Sequence, residues 1–150
     1  MRKVFFGFTV IMFVSVLAQF YFATFGAFER PAPALGAEDS AIIPHVLNGT
    51  MVLPILSILT TIVAAIAKAG GRLILLSITP LLLVVVQLFV IFELAGLAGA
   101  GMDKTTTASL VVLGFHALDG VAILWASVVL MKKARDLTKA AAPAPQAAVA

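Results

Sequence analysis

Leu73–Leu97, LILLSITPLLLVVVQLFVIFELAGL, is a run of 25 residues with a single charged side chain, Glu93. A helix crosses the hydrocarbon of a bilayer with roughly 20 mostly apolar residues, so this stretch alone predicts a membrane span. Three further runs qualify, near Val4–Phe28, Ala41–Ala67 and Thr106–Met131. The whole chain is 62% hydrophobic and 11% charged, with a mean hydropathy of +1.15, whereas a soluble domain carries about 25% charged residues. Residues 1–139 are therefore expected to form an all-α integral membrane four-helix bundle, with little chain left for a soluble domain. The Ala/Pro/Gln-rich tail, residues 140–150, is expected to be disordered.

Charge sets the orientation. With four spans, both termini and the loop between the second and third helices share one side. That side holds Arg2, Lys3, Lys68, Arg72, Lys132, Lys133, Arg135 and Lys139, eight of the ten basic residues, and only Arg30 and Lys104 fall on the other. Lys and Arg are retained in the cytoplasm during insertion, so both termini should be cytoplasmic. The net charge of +3 reads as topology. A nucleic-acid partner would need a basic face on a folded surface, and none is visible. The lipid bilayer is the expected surrounding. Absence of cysteine excludes disulfides, thiolate metal sites, iron–sulfur clusters and c-type haem attachment. The Met1-Arg-Lys start resembles a secretory signal, but its apolar run outlasts the usual 7–15 residues or so, which favours an uncleaved first span. Cleavage near Ala34–Ala37 is the alternative and would leave three spans.

Local signals punctuate the spans. Pro31 and Pro33 make Glu29–Asp39 an extended external loop. Asp39 or Ser40 is placed to cap the second helix, Pro44 falls in its first turn, and Pro54 should kink it. Lys68-Ala-Gly-Gly-Arg72 is a tight turn that makes helices two and three antiparallel neighbours. Gly96–Lys104 is a glycine-rich turn, and Thr105–Thr107 caps helix four.

Two stretches inside the apolar runs repeat one another: His45-Val-Leu-Asn-Gly49 and His116-Ala-Leu-Asp-Gly120, which hold both histidines of the chain. Spacing of i, i+3 and i+4 puts His, Asn/Asp and Gly on one helix face, and polar groups in hydrocarbon face the bundle and usually have a function. Each His span follows a span with one glutamine, Gln19 or Gln87. This suggests a parallel two-helix internal repeat about an axis along the membrane normal, with a polar pocket between the halves in the outer half of the bilayer.

The sharpest chemical reading of that pocket is a haem b with His45 and His116 as its iron ligands, used for electron transfer. Gly49 and Gly120 would clear the backbone beside a flat macrocycle. Asn48 and Asp119, with Gln19 and Gln87, would orient the imidazoles, and Arg30 and Lys104 would pair with the propionates. Depth counts against this reading. At about 1.5 Å per residue, the two histidines lie roughly 7 and 15 Å from their helix starts, and counting from the cytoplasmic ends leaves a mismatch of about 10 Å. The competing reading is a scaffold or accessory subunit of a larger membrane complex. Its Asn, Gln and His would only lock the helices together, at roughly 0.6–2 kcal/mol each. Asp119, near mid-membrane, is expected to be protonated or paired with His116, Asn48 or a Gln, and Glu93 to lie at the boundary. A zinc or copper site lacks a fourth ligand, a proton path finds no further acid toward the cytoplasm, and Asn48-Gly49-Thr50 is a sequon buried in a span. No enzyme signature is present.

The Met1-Arg-Lys-Val start, Gln19, the His45 motif, Gly71-Arg72-Leu73, Gln87 and Gly114–Gly120 together resemble DUF6220. This is a family of small, functionally uncharacterised bacterial membrane proteins, common in actinobacteria. The resemblance covers about residues 1–137, with Asp119 standing where Asn is expected. It implies a four-helix protein of the bacterial plasma membrane and no established activity. The placement of His in the helices is also similar to the four-helix haem cores of cytochrome b561-type proteins and haem A synthase, a likeness of fold alone. A quinone or a partner protein is the expected redox partner if haem is bound.

Overall fold

In the computed structural model, which describes residues 1–31, 37, 39–101 and 104–140, the four apolar runs are helices: α1 (Arg2–Phe28), α2 (Ile43–Ile66), α3 (Gly71–Leu97) and α4 (Thr107–Lys139). Each is long and apolar enough to cross a membrane, and the described residues contain no strand. α4 continues well past Met131, where the apolar run ends, because Lys132–Lys139 is built mainly of good helix formers that need no hydrocarbon around them. Residues 141–150 and most of the candidate cleavage stretch lie outside the described residues.

α1 packs against α2 and α4, and α3 packs against the same two. The helices alternate in direction. Phe5 near the start of α1, Ala64 and Ala67 at the end of α2, Leu73 at the start of α3, and Leu130 and Ala134 late in α4 form one core cluster. A second, toward the middle, joins Met12, Val16, Leu53, Val84 and Ile123. Between helices, the fully buried small polar residues Thr9, Ser57, Thr60, Ser77 and Ser127 let backbones approach closely, as hydrocarbon-embedded packing requires. Each returns its hydroxyl to a main-chain carbonyl, so none is left unpaired. Ser57 also ties α2 to α3. Beside Pro80, whose ring cannot donate, its Oγ donates to the Ser77 carbonyl at 2.7 Å and accepts from the Leu81 N–H at 3.3 Å.

Connections follow the turn chemistry with one correction. Lys68 and Gly70 have positive φ between α2 and α3, and Thr106 caps α4 in a reciprocal capping box with Ser109. The acid at the start of α2, however, comes from across the loop. Glu29, just beyond α1, accepts from the Ala41 N–H at 2.9 Å and from Ser40 Oγ at 3.1 Å, while Ser40 Oγ, one of the two expected caps, accepts from the Ile42 N–H at 3.4 Å. A carboxylate there offsets the positive helix end whichever segment supplies it, so local spacing alone pointed to Asp39 or Ser40.

Two widened turns matter for the site. Asn48–Val52 in α2 and Gln87–Ile91 in α3 are π-helical. The Leu53 N–H bonds the Asn48 carbonyl and the Phe92 N–H bonds the Gln87 carbonyl, five residues back in each case. The deviation expected at Pro54 is thus taken up by a π turn just before it. Such turns are uncommon and concentrate at functional sites.

Candidate functional site

A cavity of about 350 Å³ opens between the four helices, and seven of the eight residues singled out in the sequence line it: Gln19, His45, Gly49, Gln87, His116, Asp119 and Gly120. The eighth, Asn48, is buried against Gln19. The remaining wall is largely aliphatic and aromatic, with Val16, Phe20, Leu53, Val84, Phe92 and Ile123. A mostly apolar cleft with a few converging polar groups is the usual form of a small-molecule site.

The two imidazoles meet. Their ring centres are 5.9 Å apart and their planes cross at 69°. This corrects the depth argument. His45 lies two residues inside α2 and His116 nine residues inside α4, yet the rings are neighbours, so the start of α4 extends about 10 Å beyond the start of α2 at that end of the bundle. Counting from helix starts assumed that both begin at one height.

On the α1–α2 side, every polar group has a partner. His45 Nδ1 lies 3.0 Å from the Gln19 carbonyl, which can only accept, so Nδ1 carries the proton. Nε2 is then the acceptor, 3.3 Å from the Gln19 amide nitrogen. Asn48 Nδ2 donates to Gln19 Oε1 at 2.8 Å and to the Ser15 carbonyl at 3.0 Å, and Ser15 Oγ donates to Asn48 Oδ1 at 2.8 Å. Gly49 makes room for this arrangement. A Cβ there would sit 2.6 Å from Gln19 Nε2.

The α3–α4 side is the opposite. Both amide atoms of Gln87, itself only 7% exposed, are enclosed without a partner among the described residues, and so is His116 Nδ1. Asp119 is buried, but it makes no side-chain hydrogen bond among the described residues. Of the two expectations for Asp119, protonated or paired, the pairing is not seen; Asn48 and Gln19 are turned toward each other and toward α1. Phe92 stacks on His116, with ring centres 5.6 Å apart and planes 27° apart. Gly120 faces Phe20 at an ordinary 3.6 Å from the Cβ position.

Arg30 folds back on the Ala27 and Glu29 carbonyls, Lys104 is exposed, and neither lines the cavity. Glu93 is exposed on the outer surface. Among the described residues no three His, Asp or Glu gather as a metal-binding group. Sequence reasoning missed Ser15 and Phe92. Ser15 was findable, lying four residues before Gln19 on the same helix face. Phe92 follows Gln87 by five residues, a spacing that a π turn brings round to the cavity and an α-helix does not.

Fold and cavity together define a small protein of four membrane-length helices enclosing a polar-tipped, apolar-walled site. The chain belongs to DUF6220, a family of unknown function, which matches residues 19–96. The matched stretch takes in Gln19, His45, Asn48, Gly49 and Gln87 and stops short of His116, Asp119 and Gly120. No curated protein matches the chain, and no solved structure does.

Proposed function

We propose that this is a haem b protein of the bacterial plasma membrane, with His45 and His116 holding the iron and a quinone or a larger membrane complex as electron partner. The separation of the two rings carries the reading. Two metal–imidazole bonds of about 2 Å, with each ring centre about 1 Å behind its nitrogen, place the centres about 6 Å apart, against the 5.9 Å found. The donor set fits in part. A ligating imidazole normally gives its other N–H to a carbonyl or carboxylate, as His45 Nδ1 does to Gln19. His45 Nε2, however, lies 3.3 Å from the Gln19 amide nitrogen, which would have to turn away, and His116 Nδ1 has no such acceptor among the described residues. The unpartnered groups of Gln87 and His116 belong to a cavity that its own residues do not complete.

Haem b, when bound, supplies a one-electron couple. The chain's residues do the rest. His116 and His45 would hold the iron, with Phe20 and Phe92 in the wall beside them and the aliphatic lining limiting access of water. Both termini lie on the cytoplasmic side, a placement supported by the eight cations at that end. The halves α1–α2 and α3–α4 form a parallel repeat, supported by the like placement of Gln19 with His45 and Gln87 with His116 around one cavity.

Extraction in mild detergent from haem-replete cells tests the proposal. A Soret band that His45→Ala and His116→Ala each remove or shift is the expected result, and a colourless, well-folded protein overturns it. One observation favours a second reading, a scaffold or accessory subunit. The set Ser15, Gln19, His45 and Asn48 satisfies itself completely, as a set that merely clamps α1 to α2 would. Colourless protein that repeatedly co-purifies with a larger complex is the outcome that reading requires.

A further inference from the structure

The cavity is not walled evenly. Along Leu53–Ile66 and Gly71–Val86, toward the Lys68–Gly70 turn, α2 and α3 pack on one another. From the two π turns onward, α2 packs on α1 instead and α3 on α4. In this half, Val46 and Thr50 on α2 and Phe92 on α3 line the cavity and are exposed as well, Val46 by 43% and Phe92 by 42%. Side chains exposed at this depth of a membrane helix meet acyl chains, so the cavity is reached from the bilayer between α2 and α3.

Its polar groups narrow what it takes. Among the described residues no lysine or arginine lines it, whereas Asp119 does. His45 is neutral, with Nδ1 donating and Nε2 accepting. An anion brought here would lose its water and find no permanent cation. Gln87 lines the same space, 7% exposed, with its amide nitrogen and oxygen both enclosed and without a partner among the described residues. One donor and one acceptor on a single carbon are thus left unmet, and each carries a desolvation cost. A head group with an acceptor and a donor on neighbouring atoms meets both. A primary carboxamide does so, its carbonyl accepting from Nε2 and its N–H donating to Oε1, whereas an ester can only accept. A volume of about 350 Å³ has room for about a dozen groups the size of water, a head with about ten carbons. A longer tail would leave between α2 and α3.

We infer that Gln87 anchors the head of a neutral, single-chain amphiphile that enters from the bilayer between α2 and α3, with a carboxamide-type head and decanamide as the probe. The inference does not rest on the haem reading. It concerns the chain without haem, and one cavity of this size does not hold both.

Scintillation-proximity binding of tritiated decanamide to haem-free protein in detergent tests it, with unlabelled decanamide, methyl decanoate and sodium decanoate as competitors. Gln87→Leu replaces the unpartnered amide with an apolar side chain and should fold at least as well; Gln87→Met serves where it does not. The preference for amide over ester should fall about tenfold in the variant, the worth of the hydrogen bond that the ester cannot donate. Partition of each compound into micelles is common to both proteins and cancels. Val46→Trp, which bulks the rim and leaves Gln87 in place, should slow uptake severalfold and keep the preference. A preference unchanged by Gln87→Leu overturns the anchor. Decanoate ion competing as well as decanamide overturns the neutral head, and uptake in Val46→Trp at the wild-type rate overturns the route. A wild type that carries haem when isolated and, stripped of it, binds no decanamide overturns this inference and leaves the haem reading standing. Saturable binding by protein that never shows a Soret band supports the inference and overturns the haem reading.

Discussion

The two halves of the cavity use nearly the same residues and leave them in opposite states. On the α1–α2 side, Gln19, His45 and Asn48 are joined with Ser15 in one closed set of hydrogen bonds. On the α3–α4 side, Gln87 and His116 Nδ1 are enclosed with no partner among the described residues, and Asp119 is buried beside them. Two residue differences account for this. Four residues before Gln19 stands Ser15, which anchors the network, whereas four residues before Gln87 stands Leu83, packed into the apolar core. Asn48 also has an amide that donates twice, whereas Asp119 has no N–H to give to Gln87. The π turns do not follow the proposed repeat either, falling in α2 and α3, whereas a parallel repeat would pair α2 with α4. One half thus closes its hydrogen bonds within itself, and the other leaves buried polar atoms without a partner among the described residues.

The difference is largest in what each histidine does. On the haem proposal, His116→Ala should remove the Soret band, because it deletes the imidazole whose ring nitrogens have no partner among the described residues. His45→Ala should leave a weaker band of five-coordinate, high-spin character, visible by absorption and electron paramagnetic resonance. If the two variants lose haem equally, the halves are equivalent toward the cofactor and the comparison fails at its main point. Next in size is folding stability in protein prepared without haem. Asn48→Leu breaks three hydrogen bonds and strands Gln19 and Ser15, and should cost about 1–3 kcal/mol, read as a lower melting temperature. Asp119→Leu removes a group with no partner and should leave the melting temperature level or raise it. A large loss in Asp119→Leu would reveal a buried partner for that carboxyl and close the gap between the halves.

How far the sequence reaches depends on the kind of signal. The four helices were legible because a long apolar run such as Leu73–Leu97 is a one-dimensional feature that needs no knowledge of neighbours. The membership of the site was legible for a related reason. Polar side chains in hydrocarbon turn inward, and i, i+3, i+4 spacing keeps His45, Asn48 and Gly49 on one face. The relative heights of helices were not legible, since they depend on how the whole bundle docks, and the 10 Å mismatch inferred by counting disappeared. Nor were the π turns at Asn48–Val52 and Gln87–Ile91, which leave no periodic trace in a uniformly apolar stretch. Hydrogen-bond partners fell between these cases. The Ser15–Leu83 contrast is plain in the chain, but only once Gln19 and Gln87 are known to face the same space.

The smallest expected effect compares the two glycines, which the two His-x-Leu-(Asn/Asp)-Gly stretches place alike and the structure does not. A methyl added at Gly120 meets only Phe20, at an ordinary contact distance of 3.6 Å. Gly120→Ala should therefore be neutral or gain up to about 1 kcal/mol, because Ala is the better helix former. A methyl at Gly49 meets Gln19 Nε2 at 2.6 Å and must push the amide off its seat, loosening its bonds to His45 and Asn48. The same gain in helix propensity applies there, so the net cost should be only about 1 kcal/mol. Thermal melts of the two variants, in one detergent and without haem, read the difference directly. Gly49→Ala should melt below Gly120→Ala, and the order should vanish in a Gln19→Ala background, where no amide is left to displace. An order that survives in that background would place the crowding at Gly49 somewhere other than Gln19, and the closed hydrogen-bond set would lose its claim to fix the shape of this side of the cavity.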